Sequence, residues 1–152
     1  NDSAEKYCFD NDSNLCNSNG AIYQWDEAMQ YTAQESAQGL CPSGWHIPAD
    51  GEWKTLETTL GMSASSADSI GFRGTDQGSQ LGLDGTSGFD APLNGFRNAD
   101  GGFFNNSLYS YYWTSSDSNS NAWCRGFSSN EERVYRNTVN KTYGFSVRCV
   151  KD

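Results

Sequence analysis

Residues 111–128 read YYWTSSDSNSNAWCRGFS: two runs rich in aromatic and small residues, 111–116 and 121–128, separated by the turn-forming residues 117–120. That pattern is one of two short strands joined by a turn. Within NAWCRGFS the period of two sets Ala122, Cys124, Gly126 and Ser128 on one face and Trp123, Arg125 and Phe127 on the other. The large rings select the buried face, so Cys124, Gly126 and Ser128 are expected to face solvent. Downstream, RVYRN (133–137) places Val134 inward and Arg133 and Tyr135 outward, which makes the two outward sets neighbours across a hairpin. GFRNADGGFF (95–104) reads as a further hairpin with Asp100-Gly101 at its turn, and GFSVRCV (144–150) as a terminal strand. The second half is expected to be an antiparallel sheet.

Upstream the periodicity changes. Ile22, Trp25, Ala28 and Met29 fall at helical spacing with Gly39 as a stop, predicting a first helix from about Gln24 to Ser36. In DGEWKTLETTLG, Asp50 can cap, Trp53, Leu56 and Leu60 share a face and Gly61 terminates, predicting a second helix over Gly51–Leu60. Residues 63–94 turn to Ser, Gly, Asp and Thr and read as a long loop. Helices followed by strands place the chain, as a single domain over 1–152, in the α+β class.

Composition limits what such a domain can do. Of 152 residues, 36% are apolar and 14% aromatic, so the core is built from few, large side chains and a Leu-rich bundle is excluded. No apolar run reaches the length of a membrane span. The formal charge of −9 opposes binding to nucleic acid. The charge is uneven: residues 123–152 hold six basic and three acidic side chains, whereas 1–122 hold four and sixteen. A surface made for a partner, or simply solvated strand faces, would produce this asymmetry. Five cysteines without a CxxC pair, beside the single His46, suit disulfides better than zinc and imply export to the cell surface or beyond it. A chain that begins at Asn1 without an apolar leader is expected to be a mature or trimmed ectodomain.

CPSGWHIPADGEWKTLE (41–57), GFRNADGGF (95–103), YYWTSSDSNSNAWCRGFS (111–128) and NKTYGFSVRCVKD (140–152) together resemble the Fibrobacter succinogenes major paralogous domain family, over Tyr7 to Asp152. The resemblance implies a variant of the C-type lectin fold, with two helices flanking a twisted sheet and long loops at one edge. It also implies disulfides Cys41–Cys149 and Cys8–Cys16, the latter closing the N-terminal segment 1–20, with Cys124 left over. Sugar-binding C-type lectins hold calcium through a WND triplet and a Pro-flanked Glu/Asn pair. Neither occurs here, where the region reads NAWC. The run Asp10-Asn11-Asp12-Ser13-Asn14 offers oxygen ligands but lacks the spacing of a calcium loop, and no cofactor is expected.

Similar proteins often serve as variable proteins of diversity-generating retroelements, and residues 105–143 look like such a region. The expected ligand-binding set is Tyr109, Tyr111, Tyr112, Asp117, Cys124, Gly126, Ser128, Arg133, Tyr135 and Tyr143. Trp45, Trp53, Trp113 and Trp123 are assigned to the core, Trp25 is left open, and His46 is read as structural. Formylglycine-generating enzymes share the lectin-like fold and use cysteines, but nothing in the sequence places a group beside Cys124 to lower its pKa, so no enzyme is expected. A non-enzymatic recognition domain for a protein ligand is the leading expectation. A carbohydrate-binding adhesin module and a structural surface or pilus subunit are the alternatives.

Overall fold

The computed structural model describes residues 4–152; Asn1 to Ser3, the start of the expected N-terminal segment, lie outside the described residues. In chain order the elements are α1 (Ser13–Asn19), α2 (Trp25–Ala28), β1 (Trp45–His46), α3 (Asp50–Thr59), α4 (Ala64–Asp68), β2 (Gly71–Arg73), α5 (Gln77–Leu81), β3 (Asn94–Arg97), β4 (Phe103–Asn106), β5 (Tyr109–Ser118), β6 (Asn121–Ser128), β7 (Glu131–Asn140) and β8 (Val150–Lys151). Strands β2 to β7 form one six-stranded sheet in the order β2-β7-β6-β5-β3-β4, and β1 pairs antiparallel with β8. The class is α+β. The expected all-antiparallel pairing fails where β3 and β5 run parallel and where Ser146 bridges Tyr112 in parallel. Of the expected terminal strand 144–150 only Val150 belongs to β8, the rest making isolated bridges at Gly144, Phe145 and Ser146. The 95–104 hairpin sends β4 to the sheet edge, so the chain returns as β5 along the free side of β3 and necessarily in the same direction.

Helix α3 lies within one residue of its expected bounds. Its cap differs: Ala49 is the N-cap and its N–H donates to Glu52 Oε2 at 2.8 Å, while Asp50 turns inward. The expected first helix, Gln24–Ser36, is cut to the four residues of α2. Trp25, Ala28 and Met29 are buried within a single turn, after which Gln30 and Tyr31 adopt left-handed backbone (φ 51° and 60°). The polar stretch that follows has little apolar surface with which to hold a helix against the core. Gly39, expected as a helix stop, has another role. A Cβ there would lie 2.4 Å from the Ala28 carbonyl oxygen, so the returning chain can pass α2 only as glycine. Residues 63–94, expected as loop, carry α4, β2 and α5. Helix α1, unexpected, begins where the Asp12 carboxylate accepts from Asn14 N–H at 2.8 Å.

The sheet is a middle layer. One face packs on Trp25, Ala28, Met29, Ile47 and Phe145, the other on Trp53, Met62, Ala67, Leu81 and Ala91. Trp113, Ala122 and Cys124 point to the first group; Tyr112, Phe127 and Val134 point to the second. The strand alternation read from the sequence holds, but both faces are covered, as in sheets flanked by structure on either side. Cys124, expected to face solvent, is therefore fully buried opposite Trp113. Two disulfides are formed, Cys8–Cys16 and Cys41–Cys149, the second joining the segment before α3 to the chain just before β8. Among the described residues no helix is long and apolar enough to cross a membrane.

Candidate functional site

Strand register brings one aromatic residue from five of the six strands into a single row. Phe72 of β2 is paired with Tyr135 of β7, Tyr135 with Gly126 of β6, and Gly126 with Tyr111 of β5. The parallel pairing of Gly95 with Ser110 sets Phe96 of β3 beside Tyr111, and Phe96 is paired with Phe104 of β4. Ring centroids follow one another at 5.2 Å (Phe72–Tyr135), 6.0 Å (Tyr135–Tyr111), 5.3 Å (Tyr111–Phe96) and 5.8 Å (Phe96–Phe104). Five inter-strand steps make the row about 24 Å long.

Gly126 makes the row continuous. A Cβ on it would lie 2.8 Å from Tyr111 Cε1 and 3.1 Å from Tyr135 Cβ, so only a strand residue without a side chain lets the Tyr111 ring reach across β6 to meet Tyr135. Gly126 is thus buried beneath the rings, a correction to its expected solvent-facing place. Tyr143 and Phe145 close one side of the row, leaving a recess of about 190 Å³ among Phe96, Tyr111, Tyr135, Val139 and Tyr143. Asn137 Nδ2 donates to Tyr135 Oη at 3.0 Å and orients that phenol. Burial pushes the Tyr111 phenol up to about 12, so it stays a neutral donor.

On the other side the row borders open surface. Tyr109 and Ser128, a register pair, are half-buried there, and Arg133 is exposed with its guanidinium held by Glu131 (2.7 and 2.8 Å). Tyr109, Tyr111, Ser128, Arg133, Tyr135 and Tyr143 of the expected set therefore come together. Cys124 lies in the core. Tyr112 is a second correction: its side chain is on the opposite face, buried, with its phenol donating to the Pro92 carbonyl at 3.1 Å. Asp117 is exposed but stands six residues along β5 from Tyr111, where it pairs with Lys141 at 2.6 Å. Phe72, Phe96 and Phe104 were missed. A signal for two of them exists, since the tripeptide GFR occurs at 71–73 and again at 95–97 and each supplies a row phenylalanine. Of the tryptophans assigned to the core, Trp45 is 39% exposed and Trp123 is half-buried with the Arg136 guanidinium 3.8 Å above it.

The positive C-terminal fifth is mostly neutralised inside the fold. Arg125 and Arg136, paired across β6 and β7, both reach the Asp50 carboxylate (2.7 and 2.8 Å), and Arg125 Nε reaches Glu57 at 2.7 Å, where Arg73 also binds. Burial opposes ionisation of Asp50, but hydrogen bonds from Arg136 and the charge of Arg125 hold it well below the ordinary carboxylate range. Burial pushes the Cys124 thiol up to about 12, against the opposing charge of Arg125. Both nitrogens of His46 meet carboxylates, Asp152 at 2.6 Å and Glu52 at 2.9 Å. Among the described residues, no group of three or more His, Cys, Asp or Glu side chains is placed to hold a metal ion. Asp12 of the acidic run is engaged as a helix cap.

Among comparisons with known proteins, the family model for the Fibrobacter succinogenes major domain matches residues 1–151. Searches of curated proteins and of solved structures each returned no significant match.

Proposed function

This chain belongs to the Fibrobacter succinogenes major domain family, and we propose that it is an extracellular, non-enzymatic recognition domain that binds a protein ligand through the aromatic row and its open flank. The observation that carries the reading is the register-aligned row itself, with Gly126 kept bare beneath it. The steep ring arrangement favours a protein over a polysaccharide. Tyr111 stands at 89° to Tyr135 and 85° to Phe96, so the central rings share no plane on which a chain of flat sugar rings could lie. Tyr109, Ser128 and Arg133 beside them supply large, adaptable contacts at low entropic cost, as in antibody paratopes. Export is supported by the two disulfides. A neutral, buried Cys124 thiol supports the non-enzymatic part.

The lectin-like fold and a surface diversified by a retroelement are part of the proposal. If substitutions are accepted here, they fall on Tyr109, Ser128, Arg133 and Tyr135, because packing fixes Cys124 and Gly126. A carbohydrate-binding module is the second reading, favoured by Phe96 and Phe104, whose rings are only 28° apart. The test is to present the domain and its Tyr135→Ala variant to a glycan array and to a panel of purified surface proteins from neighbouring cells. Retention on a protein, weakened at least about tenfold in the variant, is the expected result. Retention on a defined polysaccharide, abolished in the variant, would overturn it in favour of the second reading.

A further inference from the structure

Once Arg125, Arg133, Arg136 and Lys141 are paired, two cations of the C-terminal fifth remain. Neither Arg148 nor Lys151 has a carboxylate within 4.0 Å among the described residues. Both line the same cavity of about 370 Å³, between α3 and β8. Its walls are apolar, with Trp45, Trp53, Leu56, Phe89 and Val150 contributing. Trp45 leaves 39% of its surface in solvent at the rim of the cavity. Trp53 is 2% exposed, and its indole Nε1–H has no hydrogen-bond partner among the described residues. Buried donors are almost always satisfied, so an orphan in a cavity wall points to an acceptor supplied from outside the chain. The one carboxylate on the wall, Glu52, is already engaged by His46, Ala49 N–H and Ser36.

We propose that this cavity is a second binding site, independent of the aromatic row, for a small amphiphilic carboxylate: a flat apolar body between Trp45 and Phe89 with its anionic group toward Arg148 and Lys151. Charge complementarity selects that chemistry. In a chain of net charge −9, two unpaired cations at one apolar cavity draw an anion that the rest of the surface repels. Arg148 is pre-positioned, because its Nη2 donates to the Phe89 carbonyl and its guanidinium lies 4.6 Å from the Phe89 ring centre. Arginine is suited to bidentate capture of a carboxylate. A cavity of this size falls in the range of small-molecule sites.

The probe is 2-naphthoate, compared with its neutral counterpart 2-naphthalenemethanol, each titrated into nitrogen-15-labelled protein while the five tryptophan indole resonances are followed. Naphthoate should produce a saturable shift of the Trp53 and Trp45 indoles and bind at least about tenfold more tightly than the alcohol. Arg148→Gln should reduce naphthoate to the affinity of the alcohol, and Tyr135→Ala should change nothing. Lys151→Gln, at an exposed position, gives a second measure of the charge contribution if Arg148→Gln loosens the fold. The proposal is overturned by the absence of a saturable shift at millimolar naphthoate, by equal affinity for acid and alcohol, or by indole shifts that Tyr135→Ala abolishes.

Discussion

Gly126 and Cys124 sit two residues apart on the same face of β6, and neither tolerates what an open surface would. Gly126 lacks a positive φ, so its constraint is space rather than backbone freedom. Gly126→Ala drives a methyl group into the Tyr111 ring and is expected to cost about 1–3 kcal/mol, as overpacking does. Cys124→Asn places an unpartnered amide opposite Trp113 and should cost at least about as much. Ser128→Asn, on the open flank, should stay within about 0.5 kcal/mol. Urea unfolding of the three variants decides it; a neutral Cys124→Asn would show that β6 presents the opposite face. Arg125 makes a sharper demand. It is fully buried and is the shared partner of Asp50 and Glu57, so Arg125→Met should cost about 3–5 kcal/mol by leaving buried carboxylates under-paired. Recovery of wild-type stability in that single variant would mean the network adds nothing to the fold. Strand alternation puts Arg125 on the inward face, but Asp50, which shares a face of α3 with Glu57 at positions i and i+7, is expected from the sequence as a cap, and the apolar spacing of the helix does not single out Glu57 as an inward partner.

Short segments show where sequence patterns stop being decisive. Helix α3 was legible because apolar spacing and a glycine stop agree with its burial, although its cap is Ala49 rather than the expected Asp50. The stretch after Trp25 was not, because the same apolar spacing can be satisfied by one turn followed by a reversal, and only the close pass of Gly39 over Ala28 shows which occurs. The row was half legible. Alternation places Tyr135, and Tyr111 belongs to the expected binding set; Phe72 lies on a strand of three residues, too short to announce itself among turn residues, whereas Phe96 and Phe104 fall in the expected 95–104 hairpin, whose docking beside β5 no local pattern shows. The smallest pairing, β1 with β8, carries a pH dependence. His46 on β1 donates to Asp152 and Glu52 when protonated, and the bond to Asp152 does most to raise its pKa above the ordinary 6.5, with burial opposing. A raised folded pKa means that this stabilisation is full below the unfolded value and fades as pH rises through the folded one. The difference in melting temperature between wild type and His46→Gln should therefore be largest near pH 6 and shrink toward alkaline pH. A difference that grows with pH would mean that His46 is neutral in the native state.

Two covalent links hold the layers, and their worth differs with the chain they enclose. Cys41–Cys149 spans 108 residues and Cys8–Cys16 only 8, so chain-entropy arguments give about 4–5 and 2–3 kcal/mol. The long link ties the segment before α3 to the end of the chain, and every strand of the six-stranded sheet lies between its two ends in sequence. Its loss weakens the fold as a unit rather than fraying an edge. Cys124 offers a reporter of that weakening, because a thiol with no exposed surface and a pKa pushed up to about 12 reacts only when the sheet around it opens. In the native protein its alkylation by iodoacetamide should be slow and track global unfolding. Replacing both Cys41 and Cys149 by Ser should accelerate that alkylation about a thousandfold, the factor corresponding to roughly 4 kcal/mol, while the Cys8→Ser, Cys16→Ser pair should accelerate it much less if its segment opens independently of the sheet. Rapid stoichiometric labelling of the untouched native protein would place Cys124 at the surface. The layer of α2 and Phe145 over β6, and with it the buried flank of the aromatic row, would then be wrong.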